Sequence, residues 1–152
     1  MAFFDTLISE VASATGLPLT VHGDCCDLST EKFPLTVKYR ESHDDLLLLA
    51  AIRSEGVPLL AATMRRALEL AFNGERTRGC HLGLCNGALV LSHSLPAEGV
   101  NAESFAARLL AFTEVAQDIA AELDAAEALP EEGDDFFDEP SHASQNEFFL
   151  QV

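Results

Sequence analysis

The stretch GCHLGLCNGALVLSH, residues 79–93, contains two short apolar runs on either side of the pair Asn86-Gly87. This pair readily takes the positive φ angles that both central positions of a type I′ turn require. Because a type I′ turn joins the two strands of a tight hairpin, the stretch predicts antiparallel strands that end at Cys85 and restart at Ala88.

A long amphipathic helix is predicted after this hairpin. Asn101 is a candidate N-cap, and Glu103 places an acid in the first turn, where it suits the helix dipole. Apolar residues then recur at spacings of four and three, which draws one stripe along a helix. The stripe consists of Phe105, Leu109, Phe112, Ala116, Ile119 and Leu123. Such a helix requires a sheet on which its apolar stripe can lie.

The residues before the hairpin predict that sheet. Apolar spacing indicates a first helix over about residues 2–15, and a short strand over Leu19–His22 ends at Gly23-Asp24. Residues 33–40 alternate between apolar and polar, as a half-buried strand does. The run 46–52 is apolar throughout, so we expect a third strand that is buried on both faces.

A second helix is predicted from Val57 to Phe72, with Pro58 in its first turn and Asn73-Gly74 as its stop. The predicted fold class is therefore α+β, in the order α-β-β-β-α-β-β-α, with an antiparallel sheet packed against helices. The apolar residues of the second helix cover a wide arc, which predicts that a second copy of the chain covers one side. The dimer interface is assigned to Leu60, Met64, Ala67, Leu68, Ala71 and Phe72.

Composition limits the classes of partner. The chain has 152 residues with a formal net charge of -16, and such a field repels phosphate backbones and anionic lipid. We therefore expect neither nucleic acid nor membrane as a partner. The beginning of the chain lacks a basic signal region, and the run 46–52 is too short to span a bilayer. A cytoplasmic location with reduced thiols follows as an expectation.

The last part of the chain differs from the rest. We place one α+β domain at residues 1–129 and an acidic, flexible tail at residues 130–152. The tail carries seven acids and no lysine or arginine, which is typical of a solvated appendage. Solvated tails rarely carry paired aromatics, so the pairs Phe136-Phe137 and Phe148-Phe149 leave a docking role open.

No constellation of residues predicts catalysis. Cys25, Cys26, Cys80, Cys85 and His81 were weighed as a metal site, but their spacing does not match the paired ligands of zinc sites. No nucleophile elbow or phosphate loop is present in the sequence. We therefore expect no enzyme activity, no catalytic residues, no metal and no cofactor.

The order of elements, the acidity and one local pattern resemble the class I type III secretion chaperones, the family that includes the Tir chaperones of bacterial pathogens. The pattern is the hairpin 82–91, the polar spacer 96–101 and the acidic-aromatic helix start 103–112. The resemblance covers about residues 1–128, and the tail is longer than the family usually carries. It implies a cytoplasmic homodimer of a bacterial virulence system that binds the N-terminal region of a secreted effector in extended, export-competent form.

Effector contact is assigned to apolar residues of the first helix and of the second and third strands. These candidates are Phe3, Leu7, Phe33, Leu35, Val37, Leu47 and Leu49. The alternative for each is that it belongs to the core, because apolar strand faces normally pack inward. Two other functions remain open, namely a small adaptor or regulatory module that binds a folded protein or a small ligand, and an enzyme with a dispersed site. For the tail, two possibilities remain open: its Phe pairs occupy the effector groove of the free protein, or the tail serves only as a solubility device.

Overall fold

A six-stranded antiparallel sheet organises the computed structural model, which describes residues 2–129. The strands lie in the order β1-β2-β3-β4-β6-β5, so β1 and β5 form the two edges. The elements are α1 (Ala2–Thr15), β1 (Thr20–His22), β2 (Cys25–Ser29), β3 (Pro34–Arg40), β4 (Asp45–Arg53), α2 (Ala61–Phe72), α3 (Gly74–Thr77), β5 (His81–Cys85), β6 (Ala88–Pro96) and α4 (Ala102–Ala128). The predicted α+β class is confirmed.

The hairpin and the last helix form as their sequences predict. Asn86 and Gly87 have φ angles of 49° and 80°, so the turn between β5 and β6 is left-handed at both central positions. Asn101 caps α4 by accepting from the backbone N–H of Ser104, whose hydroxyl accepts from the backbone N–H of Asn101 in return. All six residues of the predicted α4 stripe are buried.

The central strand β4 shows that the sheet is covered on one side. Leu46, Leu48, Ala50 and Ile52 are buried in the same core as α1 and α4, whereas the residues between them remain partly exposed. The expectation that this strand is buried on both faces is therefore wrong for the described chain. The physical reason is that the helices pack against one face of the sheet, which leaves Leu47, Leu49 and Ala51 on the other.

The sequence prediction missed one strand. Cys25–Ser29 forms β2 between β1 and β3, although the prediction ended the first strand at Gly23-Asp24 and placed nothing there. Aspartate and serine are depleted in strands, and the buried pair Cys26 and Leu28 offers only one period of alternation. The pairing of β2 with neighbours on both sides outweighs this weak local preference.

The second helix begins four residues later than predicted. Leu60 is its N-cap with φ -69° and ψ 151°, and residues 57–60 are not helical. Pro58 disfavours the helical region only for Val57, so the later start reflects the extended backbone of Leu60 and not the proline. A one-turn helix, α3, follows α2 and was not predicted.

The remaining predictions concern membrane spanning and the C-terminal tail. Within residues 2–129, no helix combines the length and the apolarity that crossing a bilayer requires. The predicted tail, with both Phe pairs, lies outside the described residues.

Candidate binding surfaces

The uncovered side of the sheet, here called the open sheet face, carries an apolar centre with polar borders. Cross-strand pairs place Thr36 beside Leu49, Lys38 beside Leu47, and Val90 beside Ala51. Residues paired directly across a ladder share one face, so these side chains form a continuous surface. The face consists of Thr36, Lys38, Leu47, Leu49, Ala51, Val90 and Ser92, all partly exposed.

Polar side chains on this side of the sheet are paired within the chain. The Nζ of Lys38 lies 3.5 Å from Asp24, and the hydroxyl of Thr36 donates to Asp27 at 2.9 Å. The charge of Lys38 is thus offset by Asp24, whereas Asp27 keeps its negative charge at the border of the open sheet face.

A polar cluster closes one end of the open sheet face. Arg40 donates from Nε to Asp45 at 2.8 Å and makes a second bond from Nη2 to the same carboxylate, which also accepts from the hydroxyl of Ser94. The bidentate hydrogen bonds from Arg40, aided by Ser94, lower the pKa of Asp45 to about 2. This cluster joins β3, β4 and β6 at their ends.

The depressed pKa of Asp45 predicts a pH-dependent contribution to stability. A carboxyl group whose pKa is lower in the folded chain stabilises the fold above its unfolded pKa of about 4 and loses that effect as the pH falls towards 2. Asp45→Asn should therefore lower the free energy of unfolding by about 1–2 kcal/mol at pH 7, and the difference from the wild type should shrink between pH 4 and pH 2. Urea titrations at several pH values measure this, and a difference independent of pH would contradict it.

The structure divides the seven candidate effector contacts into three groups. Leu7, Phe33, Leu35 and Val37 are core residues, each less than 5% exposed. Their assignment to effector contact is corrected: Leu35 and Val37 pair with Ala50 and Leu48 on the helix-covered face, so they are buried within one chain. Leu47 and Leu49 lie on the open sheet face.

Phe3 is accessible but lies apart from the open sheet face. It is 41% exposed, and its ring contacts Tyr39 edge-on at 5.9 Å between centroids. Tyr39 pairs with Leu46, whose side chain belongs to the helix-covered face. The structure therefore does not bring Phe3 together with Leu47 and Leu49.

A second accessible surface lies on the outside of α2. Leu60 is 49% exposed, Leu68 67% and Phe72 95%, and Val57 and Leu84 at the borders are also exposed. We call these five residues the α2 patch. Among residues 2–129 nine large apolar side chains are exposed, and the α2 patch holds five of them. Such clustering marks an interaction surface, whereas single exposed apolar residues are ordinary.

The candidate dimer residues fall largely on this surface. Leu60, Leu68, Ala71 and Phe72 are exposed and Met64 is half-buried, but Ala67 is 4% exposed and belongs to the core. The assignment of Ala67 to a dimer interface is therefore corrected, because Ala67 lies on the inner face of α2. The sequence prediction did not assign Val57 to this surface, although the predicted helix begins there, and it did not assign Leu84, which belongs to the hairpin.

Polar contacts fix the inner side of α2 to α4. The hydroxyl of the fully buried Thr63 donates to Glu127 at 2.6 Å, and Arg66 donates to Glu122 at 2.7 Å. Arg76 also reaches Glu122 at 2.7 Å, so this carboxylate joins three helices and its pKa is lowered, chiefly by the hydrogen bond from Arg66. Polar side chains on the inner side of α2 have their hydrogen-bond partners within the chain, whereas the apolar outer face of α2 remains uncovered.

Two further features of the described residues are a buried thiol and a shallow groove. Burial raises the pKa of Cys26 to about 11, which disfavours the reactive thiolate. No group of three His, Cys, Asp or Glu side chains within residues 2–129 is placed to hold a metal ion. A shallow groove of about 660 Å³ between α3 and α4 is lined by Arg76, Arg78, Asp118 and Glu122, whose charges pair with one another.

Comparison with known proteins decides the family. The model of the Tir chaperone protein (CesT) family matches residues 6–120. The chain belongs to this family. The predicted resemblance is thereby confirmed, while no curated protein matches the chain.

Solved structures of low sequence identity share the fold of this Tir chaperone family member. The ExsC-ExsE complex aligns with a TM-score of 0.63 and 22% identity, over 78% of this chain and 92% of that one. The HopA1-SchA chaperone-effector complex aligns with a TM-score of 0.59 and 19% identity, over 78% of this chain and 94% of that one. The ExoT-SpcS complex from Pseudomonas aeruginosa aligns with a TM-score of 0.55 and 18% identity, over 76% of this chain and 96% of that one.

The family match includes both accessible surfaces. Residues 6–120 contain all of β3, β4, β6 and α2, and therefore the open sheet face and the α2 patch. Phe3 and residues 130–152 lie outside the matched range. The two surfaces thus belong to the part of the chain that defines it as a Tir chaperone family member.

Proposed function

We propose that the protein is a homodimeric, non-enzymatic chaperone of the bacterial cytoplasm that binds the N-terminal region of a secreted effector for type III secretion. The observation that carries the proposal is an apolar sheet face left uncovered in a chain that belongs to the Tir chaperone protein family. The HopA1-SchA structure, which shares the fold, is that of a chaperone-effector complex and supports the same interpretation.

The open sheet face suits an extended polypeptide segment. An extended segment presents every second side chain to one surface, and Leu47, Leu49 and Val90 lie on neighbouring strands where such side chains can pack. Thr36 and Ser92 on either side of Leu49 offer hydroxyls to the segment's polar groups. Because the centre of the face is apolar, we expect the contacting part of the effector to be mainly apolar.

The α2 patch suits a second copy of the chain. Phe72, which is 95% exposed, and Leu68 stand on one helix, so a two-fold axis near α2 would bring the same residues of both copies together. Pairing would place two open sheet faces in one assembly. A single effector segment could then contact both copies.

Replacing Leu49 by aspartate tests the effector surface. The change puts a carboxylate at the centre of the open sheet face, where a bound segment would desolvate it, so capture of the effector should fall at least tenfold. The chain itself should fold, because Leu49 lies on the uncovered side of the sheet. Tagged wild-type chain is used to capture partners from extract of the native cells, which are then identified by mass spectrometry and quantified.

Leu110→Asp is the matched control for this capture. Leu110 is 62% exposed on α4, away from both surfaces, and the substitution introduces the same charge. One larger polypeptide should be retained by wild type and by Leu110→Asp, and proteolysis of the complex should protect only its N-terminal region. Equal capture by Leu49→Asp would move the binding site elsewhere, and a partner protected over its whole length would favour an adaptor that binds folded proteins.

A further inference from the structure

The region of α2 and α3 differs in charge from the rest of the chain. Residues 61–78 carry four arginines and two glutamates, whereas the whole chain has a net charge of -16. Arg66, Arg76 and Arg78 pair with acids of α2 or α4. Arg65 is exposed and makes no ion pair with any residue in the range 2–129. With four arginines against two glutamates, the region of α2 and α3 repels an acidic segment less than the chain as a whole does.

Arg65 lies on the same side of α2 as the apolar part of the patch. Leu68 follows it by three residues and Phe72 by seven, spacings that place all three side chains on one helix face. Leu68 is 67% exposed and Phe72 is 95% exposed. This face combines Arg65 and two large apolar side chains with Glu69, whose carboxylate pairs with Arg66, and it fits a segment that carries acids next to aromatics.

The described chain ends near the first turn of α2, on the inner side of that helix. Glu127, in the last turn of α4, accepts a hydrogen bond from the buried Thr63 in the first turn of α2. A helix of the length of α2 extends about 18 Å and is about 10–12 Å across with its side chains, and the seven residues from 130 to 136 span up to about 24 Å when extended. Residue 136 can therefore pass around α2 and reach Leu68 on its outer face.

The sequence of residues 131–139, EEGDDFFDE, is complementary to this face, because it carries acids that suit a cation and aromatics that suit apolar side chains. It has six acids, the pair Phe136-Phe137 and no cation. We propose that this segment docks on the outer face of α2, with Phe136 and Phe137 against Leu68 and Phe72 and its acids beside Arg65. Given the proposed pairing through α2, the segment competes with the second copy and so regulates assembly of the chaperone.

Cross-linking tests the contact directly in the full chain. Carbodiimide joins carboxylates to lysine amines, so Arg65→Lys provides a reporter on α2 and Arg108→Lys provides a control about 30 Å along α4 from its end. At concentrations below the dimer dissociation constant, we expect position 65 to cross-link to residues 131–139, at least fivefold more often than position 108 does. A mixture of ¹⁴N and ¹⁵N chains shows whether each link lies within one chain. Absence of the link, or a link formed between chains, would overturn the proposal.

The strength of pairing provides a second test. Phe136→Ser with Phe137→Ser should remove the competitor, so the dimer dissociation constant measured by sedimentation should fall about tenfold. The same change at Phe148 and Phe149 is the matched control and should leave the constant within twofold. An unchanged or increased constant for the first variant, or an equal effect of the control, would contradict the docking of Phe136-Phe137. Such a failure would leave pairing through α2 standing, because pairing is tested separately by substitution of Leu68.

Discussion

Replacing Leu68 by aspartate should convert the paired protein into a folded monomer. Burying the leucine in a dimer contributes about 1–2 kcal/mol per copy, and a carboxylate at the same place is desolvated, a cost that pairing with Arg65 one turn earlier offsets only in part. A two-fold interface contains the site twice, so the penalty is doubled. We expect the dimer dissociation constant to rise at least about 1,000-fold, which light scattering coupled to size exclusion measures as a halved mass.

The control for this experiment is Leu110→Asp. Leu110 is 62% exposed and Leu68 67%, and both lie within helices, so the two substitutions cost similar helix propensity and similar exposed apolar surface. The control should remain paired with unchanged circular dichroism. If Leu68→Asp pairs as strongly as the control, the interface lies away from α2 and the proposed assembly is wrong.

Replacing Leu109 by alanine should destabilise the fold by about 3 kcal/mol. Leu109 is 5% exposed and lies on the buried face of α4, in the core. Its replacement by alanine leaves a cavity and also loses buried apolar area. Urea denaturation followed by circular dichroism measures the free energy of unfolding, with an unchanged slope indicating that the transition remains comparable.

The neighbouring leucine provides the comparison for this measurement. Leu110→Ala makes the same chemical change in the same helix at a side chain that faces solvent, and it should alter stability by less than about 0.5 kcal/mol. Equal losses for the two variants would mean that α4 does not lie on the sheet as described. A difference of several kcal/mol supports the assignment of one face of α4 to the core.

Elements with strong local signals were predicted well. Asn86-Gly87 and the Asn101 cap each use a residue whose side chain or backbone suits one conformation, and the structure has both. Strand β2 was missed because Cys25–Ser29 has little strand preference of its own and is held by pairing on both sides. The start of α2 was placed too early because Val57–Leu60 is apolar like the helix, whereas the extended backbone of Leu60 makes the helix begin at Ala61.

Binding residues were harder to predict than elements. Leu35 and Leu49 are both leucines on paired neighbouring strands, yet Leu35 is 1% exposed and Leu49 lies on the open sheet face. The alternation within β3 indicates which residues share a face, but it does not indicate which of the two faces the helices cover. For β4, with leucine at four successive positions, even the alternation is absent from the sequence.

The sequence by itself determined the α+β class, the hairpin, the capped last helix and the likeness to secretion chaperones. These features follow from local conformational preference and from hydrophobic period, both of which act over a few neighbouring residues. The tertiary structure alone decided which side of β4 is open, that Ala67 turns inward while Phe72 turns out, and that Arg65 stands beside Leu68 on an exposed face. Those facts depend on where distant segments pack, and no short stretch of sequence contains that information.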